Sequence, residues 1–384
     1  MMERVAIVGI GCTTIEAAKR TQNYPELVYE AVKAALEDAG AGMDAVDNVV
    51  NTTNDFWDGR TISCMPVGGV SGGADKNISG VEGDGTFGTF YMMCRILSGN
   101  YGTGLVTAHS KGSEGKEVAP LITNSAFDPI HARSLGADMV TACALQARKY
   151  MTTYGITEEE CALVSVKNLG NALDNPRAQR AMKLTVADVM NSDMIASPLK
   201  KLDISPISDG AVCLILSDER NAGRFRPPPV WLKGVGFCCD AYQLGDRNLA
   251  DCKPLEMAAS KAYRMAGIRD PRKEIDVAEV YDAFSYQELL WTEGLGFCER
   301  GEGAKLLASG ATQREGEIPV NPSGGLLAGH PVIAGGMYRI AEAALQIRGD
   351  AGGVQVKDRV KTALAHGVNG LAGQSHCVWI LGND

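Results

Sequence analysis

The sequence predicts an α/β fold built from two similar halves, on three observations. A buried strand running into a glycine turn occurs twice, at Val5-Ala6-Ile7-Val8-Gly9-Ile10-Gly11-Cys12 and at Val230-Trp231-Leu232-Lys233-Gly234-Val235-Gly236-Phe237. Each copy continues at matching offsets with a helical pattern closed by glycine and then a second strand. A polar stretch, Arg220 to Arg226, ends in Pro227-Pro228-Pro229 and reads as the join, which sets halves of residues 1–226 and 227–384.

In the first half the helical pattern covers Leu27 to Gly40 and the following strand Met43 to Val50. In the second, Leu255 to Gly267 and Ile275 to Val280 play the same parts. Two units of this kind favour a duplicated α/β domain over one nucleotide-binding domain with an appendage. The first half is longer and is expected to hold an inserted loop region.

Composition fits a folded chain: 384 residues, 45% apolar and 22% charged. A net charge of -9 leaves no basic face for nucleic acid or an anionic membrane, and both are excluded as main partners. No run reaches the ~20 apolar residues of a membrane span, and Met1 to Gly9 lacks the regions of a signal peptide, so a cytoplasmic location is expected. Eleven cysteines are scattered, and the adjacent Cys238 and Cys239 do not have the spacing of a zinc knuckle. They are expected to be reduced and mostly buried.

The most specific segment is Asn321-Pro322-Ser323-Gly324-Gly325-Leu326-Leu327-Ala328-Gly329-His330-Pro331. Consecutive glycines permit positive φ and close backbone approach, so the loop can wrap a ligand while presenting one imidazole, and His330 is a candidate acid or base.

This segment resembles the NPSGG…GHP loop of thiolases. Tyr281-Asp282-Ala283-Phe284 stands where thiolases of the sterol-carrier-protein-X and archaeal type carry a His-Glu/Asp-Ala-Phe motif. Leu295-Gly296-Phe297-Cys298, Gly301-Glu302-Gly303, Ala363-Leu364-Ala365-His366-Gly367 and Gln146 to Met151 extend the resemblance over essentially the whole chain. It implies the duplicated thiolase fold in five αβαβα layers and an acyl-CoA substrate, with coenzyme A as substrate or product. It also implies that Asn321, Ser323, Gly324, Gly325, Gly85 and His366 line the ligand site. An anionic CoA ester would need local positive charge there.

The chain departs from that pattern at the nucleophile. Where those thiolases have Val-Glu-x-x-Cys-x-Ser-Gly, it reads Val81-Glu82-Gly83-Asp84-Gly85-Thr86-Phe87-Gly88, with Gly85 in the cysteine's place. Cys94 follows about 13 Å further along a helix at 1.5 Å per residue and is read as core. Asp84 is read as a turn residue and Asp209 as structural. No role is carried over to His109, His131 or His376.

Two routes need no acyl-enzyme: retro-aldol cleavage of a β-hydroxyacyl-CoA, and direct attack of a second CoA on a β-ketoacyl-CoA. Tyr281 favours the first, because a phenol can hold or accept a hydroxyl proton. Steroid side-chain aldolases, which resemble thiolases and lack the cysteine, carry Tyr-Asp-x-Phe here but replace the Gly-His-Pro loop, so the chain is aldolase-like at Tyr281 and thiolase-like at His330. A third reading is an inactive CoA-binding scaffold subunit. The resemblance further implies a homodimeric core joined by a small zinc-ribbon/OB-fold subunit, with any zinc in that partner.

Overall fold

A computed structural model describes residues 4–356 and 359–384. Of the stretch from Met1 to Gly9, the first three residues lie outside the described ones.

The first half contains β1 (Val5–Cys12), α1 (Tyr24–Ala39), β2 (Asn48–Thr53), β3 (Asn77–Glu82), α2 (Gly85–Leu97) and β4 (Thr103–Lys111). An insertion carrying α3 (Met139–Tyr154) and α4 (Glu158–Asn171) precedes β5 (Asp209–Asp218). The second half runs β6 (Val230–Cys239), α5 (Lys253–Ala266), β7 (Val277–Glu279), α6 (Ser285–Gly294), α7 (Gly335–Arg348), β8 (Thr362–Asn369) and β9 (Ser375–Gly382).

Local chemistry explains where the boundaries differ from the pattern reading. Helix α1 starts earlier than Leu27 because Asn23 and Glu26 form a reciprocal capping box with Pro25 in the first turn. It stops at Gly40 as expected, at φ 66°. Met43–Ala45 forms a 3₁₀ turn, so the strand after it is delayed to Asn48.

Strand order makes the duplication concrete. The nine strands join in the order β3-β2-β4-β5-β1-β6-β9-β8-β7. Outward from the centre, β1–β5 and β5–β4 are antiparallel, while β4–β2 and β2–β3 are parallel. On the other side β6–β9 and β9–β8 are antiparallel, β8–β7 is parallel, and Val320 bridges in parallel to Ala278 in the position that β3 holds opposite. The halves meet through two antiparallel pairs, Ala6 with Trp231 and Ile7 with Val230. Two sheets, as the five-layer reading expects, are thus hydrogen-bonded edge to edge at this short junction.

Helices α2 and α7 fill the space between the halves. Met92, Met93 and Ile96 share one apolar core with Met337, Ile340 and Ala344 and with strand residues from both halves, including Val106, Leu214, Ala365 and Trp379. A second core packs α1 on the outer face of the first half, and a third joins α5, α6 and the insertion to the second. The central layer matters most here, because α2 and α7 both begin at the site described next. No helix of the described residues is long and apolar enough to cross a membrane.

Candidate active site

Tyr281 follows the end of β7, and His330 lies in the loop that leads to α7. Their side chains are in direct contact: Tyr281 Oη is 2.8 Å from His330 Nε2, with the rings edge to face at 89°. They form a hydrogen-bonded pair with little exposure, 7% for the tyrosine and 9% for the histidine.

Protonation within this pair follows from its surroundings. Burial pushes the Tyr281 phenol well above its usual range, helped by the negative charge of Asp84. Burial, with the nearby Arg339 guanidinium, pushes His330 down to about 3. The resting pair is therefore neutral, with the proton on the phenol and Nε2 accepting it. His330 Nδ1 then carries the ring proton and donates to Ser205 Oγ at 3.0 Å. The backbone on both sides is fixed: His330 N–H donates to Ser208 Oγ at 2.8 Å, and Ser205 N–H to Ala283 O at 2.9 Å.

A second chain of histidines holds Tyr281 from behind. His376 Nε2 faces the Gly373 carbonyl at 2.8 Å and must be its protonated nitrogen. Its Nδ1 accepts from His366 Nε2 at 2.9 Å, which leaves His366 Nδ1 to accept the Tyr281 backbone N–H at 3.4 Å. Both rings are buried and neutral, their basicity lowered by burial. Trp291 Nε1 donates to Tyr281 O at 2.9 Å and completes the clamp. Sequence reading placed His366 at the site but gave His376 no part, since nothing local marks the contact.

The residues of the glycine-rich loop are packed into the protein. Asn321, at φ 53°, accepts the Val280 N–H with its side-chain oxygen (2.7 Å) and donates to Glu288 (2.9 Å). Ser323 Oγ bonds to Glu279 at 2.7 Å, a carboxylate shared with Arg339. Gly324 and Gly325 have φ of 99° and 64°, and a Cβ on Gly325 would lie 2.3 Å from the Asp282 carboxylate, so the motif aspartate requires that glycine. Asp282 in turn accepts the Leu326 N–H at 2.6 Å, and burial beside Glu288 raises it to about 7. These four residues set the shape of the loop that presents His330.

At the vacant nucleophile position Gly85 opens α2, as the resemblance implies. A Cβ there would lie 2.6 Å from Met337 Cβ and 3.0 Å from Ala108 Cβ. The space of a cysteine side chain is therefore occupied by the first turn of α7. Asp84, read as a turn residue, caps α2 through the Thr86 N–H (2.9 Å) and also accepts the Gly336 N–H of α7 (2.8 Å), tying the two central helices together. Cys94 is corrected from core to surface: it is exposed on α2 beside Tyr91 and Leu97. Asp209 is structural as expected, buried against Lys111. His131 is exposed and bonded to Asp128, and His109 stacks on Tyr24.

All eleven cysteines are free, and five are buried. Among the described residues no group of three or more His, Cys, Asp or Glu side chains could hold a metal ion.

Residues 236–383 match the family described as Thiolase C-terminal domain-like. Over 379 residues the chain is 34% identical to an acetyl-CoA acetyltransferase of Methanothermobacter thermautotrophicus, covering 97% of this chain and 98% of the relative. It is 30% identical to human sterol carrier protein 2 over 97% of this chain and 71% of that protein. The solved structure of an Ltp2–ChsH2(DUF35) aldolase is similar at a TM-score of 0.83 and 27% identity, covering 99% of this chain and 97% of that one.

Proposed function

From the premise that this chain belongs to the thiolase superfamily, in the branch that includes sterol carrier protein 2, we propose that it cleaves a β-hydroxyacyl-CoA by a retro-aldol route without a cysteine acyl-enzyme. That it is a thiolase-like acyl-CoA enzyme rests on the relatives; the route is our reading. The observation that carries it is the neutral Tyr281–His330 couple together with a glycine at the nucleophile position, where an added Cβ would lie 2.6 Å from Met337 Cβ.

The β-hydroxyl gives its proton to Tyr281 Oη as the phenolic proton passes to His330 Nε2. The Cα–Cβ bond breaks, the β-carbon leaves as an aldehyde or ketone, and the electron pair stays on the thioester fragment as an enolate. Because burial makes His330 a weak base, it gives up the proton readily, and this proton returns to Cα. No further reactant is consumed.

A second reading, direct thiolysis of a β-ketoacyl-CoA by a second CoA, is favoured by the acetyltransferase relative. Supplying β-hydroxyacyl-CoA without free CoA separates them: the aldolase route yields a carbonyl product and a shorter acyl-CoA, and thiolysis yields nothing. Binding without any product, with or without CoA and from either substrate class, would leave a scaffold subunit.

We also propose a homodimer core with a small zinc-ribbon/OB-fold partner that carries any zinc. Two observations support it. Ile78, Tyr91 and Leu97 stay exposed on and beside the edge strand β3. The similar aldolase is named together with a DUF35 component. Size-exclusion chromatography with light scattering tests the core.

A further inference from the structure

The loop carrying His330 is flanked by residues 175–182, and this segment is fastened along its length. Asn175 donates to Ser323 O at 2.8 Å, Arg177 forks onto Glu342 at 3.0 and 2.7 Å, and the Arg180 N–H donates to Ala328 O at 2.7 Å. Two side chains are thereby held without a partner suited to them. Gln179 packs beside Gly329, next to His330, and its side-chain oxygen is buried with no donor. Arg180 is partly buried, and its guanidinium donates to Ile204 O at 3.1 Å.

Among the described residues no carboxylate lies within ion-pairing distance of Arg180. Arg177, Arg314, Arg339 and Arg348 each meet one. Burial lowers the affinity of Arg180 for its proton, and no neighbouring charge opposes this. A cation drawn partly out of water without a counter-ion is destabilising until an anion arrives. The carbonyl it touches belongs to Ile204, one residue before the Ser205 that bonds His330 Nδ1, so the guanidinium is held on the same short segment as the partner of the reacting pair.

We propose that Arg180 anchors an anionic oxygen group of the substrate, with the Gln179 side-chain oxygen accepting a donor beside it. The proposal rests on the acyl-CoA reading above. The anion has two sources, a carboxylate on the acyl chain or a phosphate of coenzyme A, and one experiment separates them. Four thioesters that do not turn over are titrated calorimetrically: saturated acyl-CoAs with and without a terminal carboxylate, and the pantetheine thioesters of the same two acids.

Arg180→Met is expected to weaken binding by about 10- to 100-fold, the scale of one charge-assisted hydrogen bond, and Arg180→Lys by less. A loss confined to the carboxylated ligands in both series assigns the acyl carboxylate. A loss on both CoA esters and neither pantetheine ester assigns the phosphate. Equal loss on all four ligands, or none on any, overturns the anchor. Wild-type protein that binds none of them overturns the acyl-CoA reading and the anchor with it. Because the ligands do not react, failure of the retro-aldol route alone leaves the result standing.

Discussion

Tyr281 Oη and His330 Nε2 share one proton across 2.8 Å, and the surroundings keep both groups neutral at rest. Tyr281→Phe keeps the ring edge to face against His330 and removes only the hydroxyl. The melting temperature should stay close to wild type while kcat falls about 10²-fold or more, the usual scale for losing a general acid or base. Circular dichroism and a product assay on one preparation check both halves. Normal turnover in the variant would make the tyrosine a packing residue and favour direct thiolysis.

His330→Ala should lower turnover by about 10²-fold or more, because it removes the ring that accepts the phenolic proton. It also frees Ser205 and opens space beside Gly335, so a conservative partner is needed. His330→Gln retains polar atoms near Ser205 without the basic nitrogen; folded but inactive, it would place the loss in proton transfer. If His330→Gln matched wild type in kcat, the relay would be wrong.

Much of the fold was legible because strand and helix periods are local properties. The glycine stops at Gly40 and Gly267 both sit at positive φ as the pattern requires. Gly85 was legible too, as a glycine at the head of α2. What fills its space was not: Met337 reaches Gly85 only through the packing of the two central helices. Ser205 meets His330 from 125 positions away, and His376 meets Tyr281 only through a second ring, so no spacing rule could join them. Cys94 was misread because Tyr91-Met92-Met93-Cys94 is apolar all round, and such a segment does not reveal which side faces out.

Asp84 gives a pH-dependent test of how the central helices are tied. Burial raises its carboxyl to about 6, above the ordinary 3.8, so the folded chain holds this proton more tightly than the unfolded one. The contribution to stability is full below about pH 4 and is lost as pH rises through 6, by about 3 kcal/mol in all. Asp84→Asn cannot titrate, so its deficit relative to wild type should be largest near pH 4.5 and shrink by pH 7.5. Urea unfolding at the two pH values measures it. A deficit unchanged between them would show that the carboxyl is not held protonated.

Restoring the missing cysteine tests the reading of the site from the opposite side. Gly85→Cys supplies the family's nucleophile at the head of α2, but its Cβ would lie 2.6 Å from Met337 Cβ, a separation that requires a backbone or side-chain shift. Overpacking of this kind costs typically about 1–3 kcal/mol, so the variant should melt lower than wild type. Truncating the neighbour in Gly85→Cys/Met337→Ala leaves the Met337 Cβ in place and opens only the space beyond it, so stability should recover in part. Neither variant should gain thiolytic turnover, because burial holds His330 down to about 3, too weak a base to take the proton of a thiol. Wild-type protein quenched during turnover should show no acyl mass on any of its eleven cysteines, and intact-protein mass spectrometry reads all three proteins at once. A stable acyl adduct on the wild type would overturn the route; thiolytic activity gained by Gly85→Cys would show that the site still serves an acyl-enzyme and was altered only at this one residue.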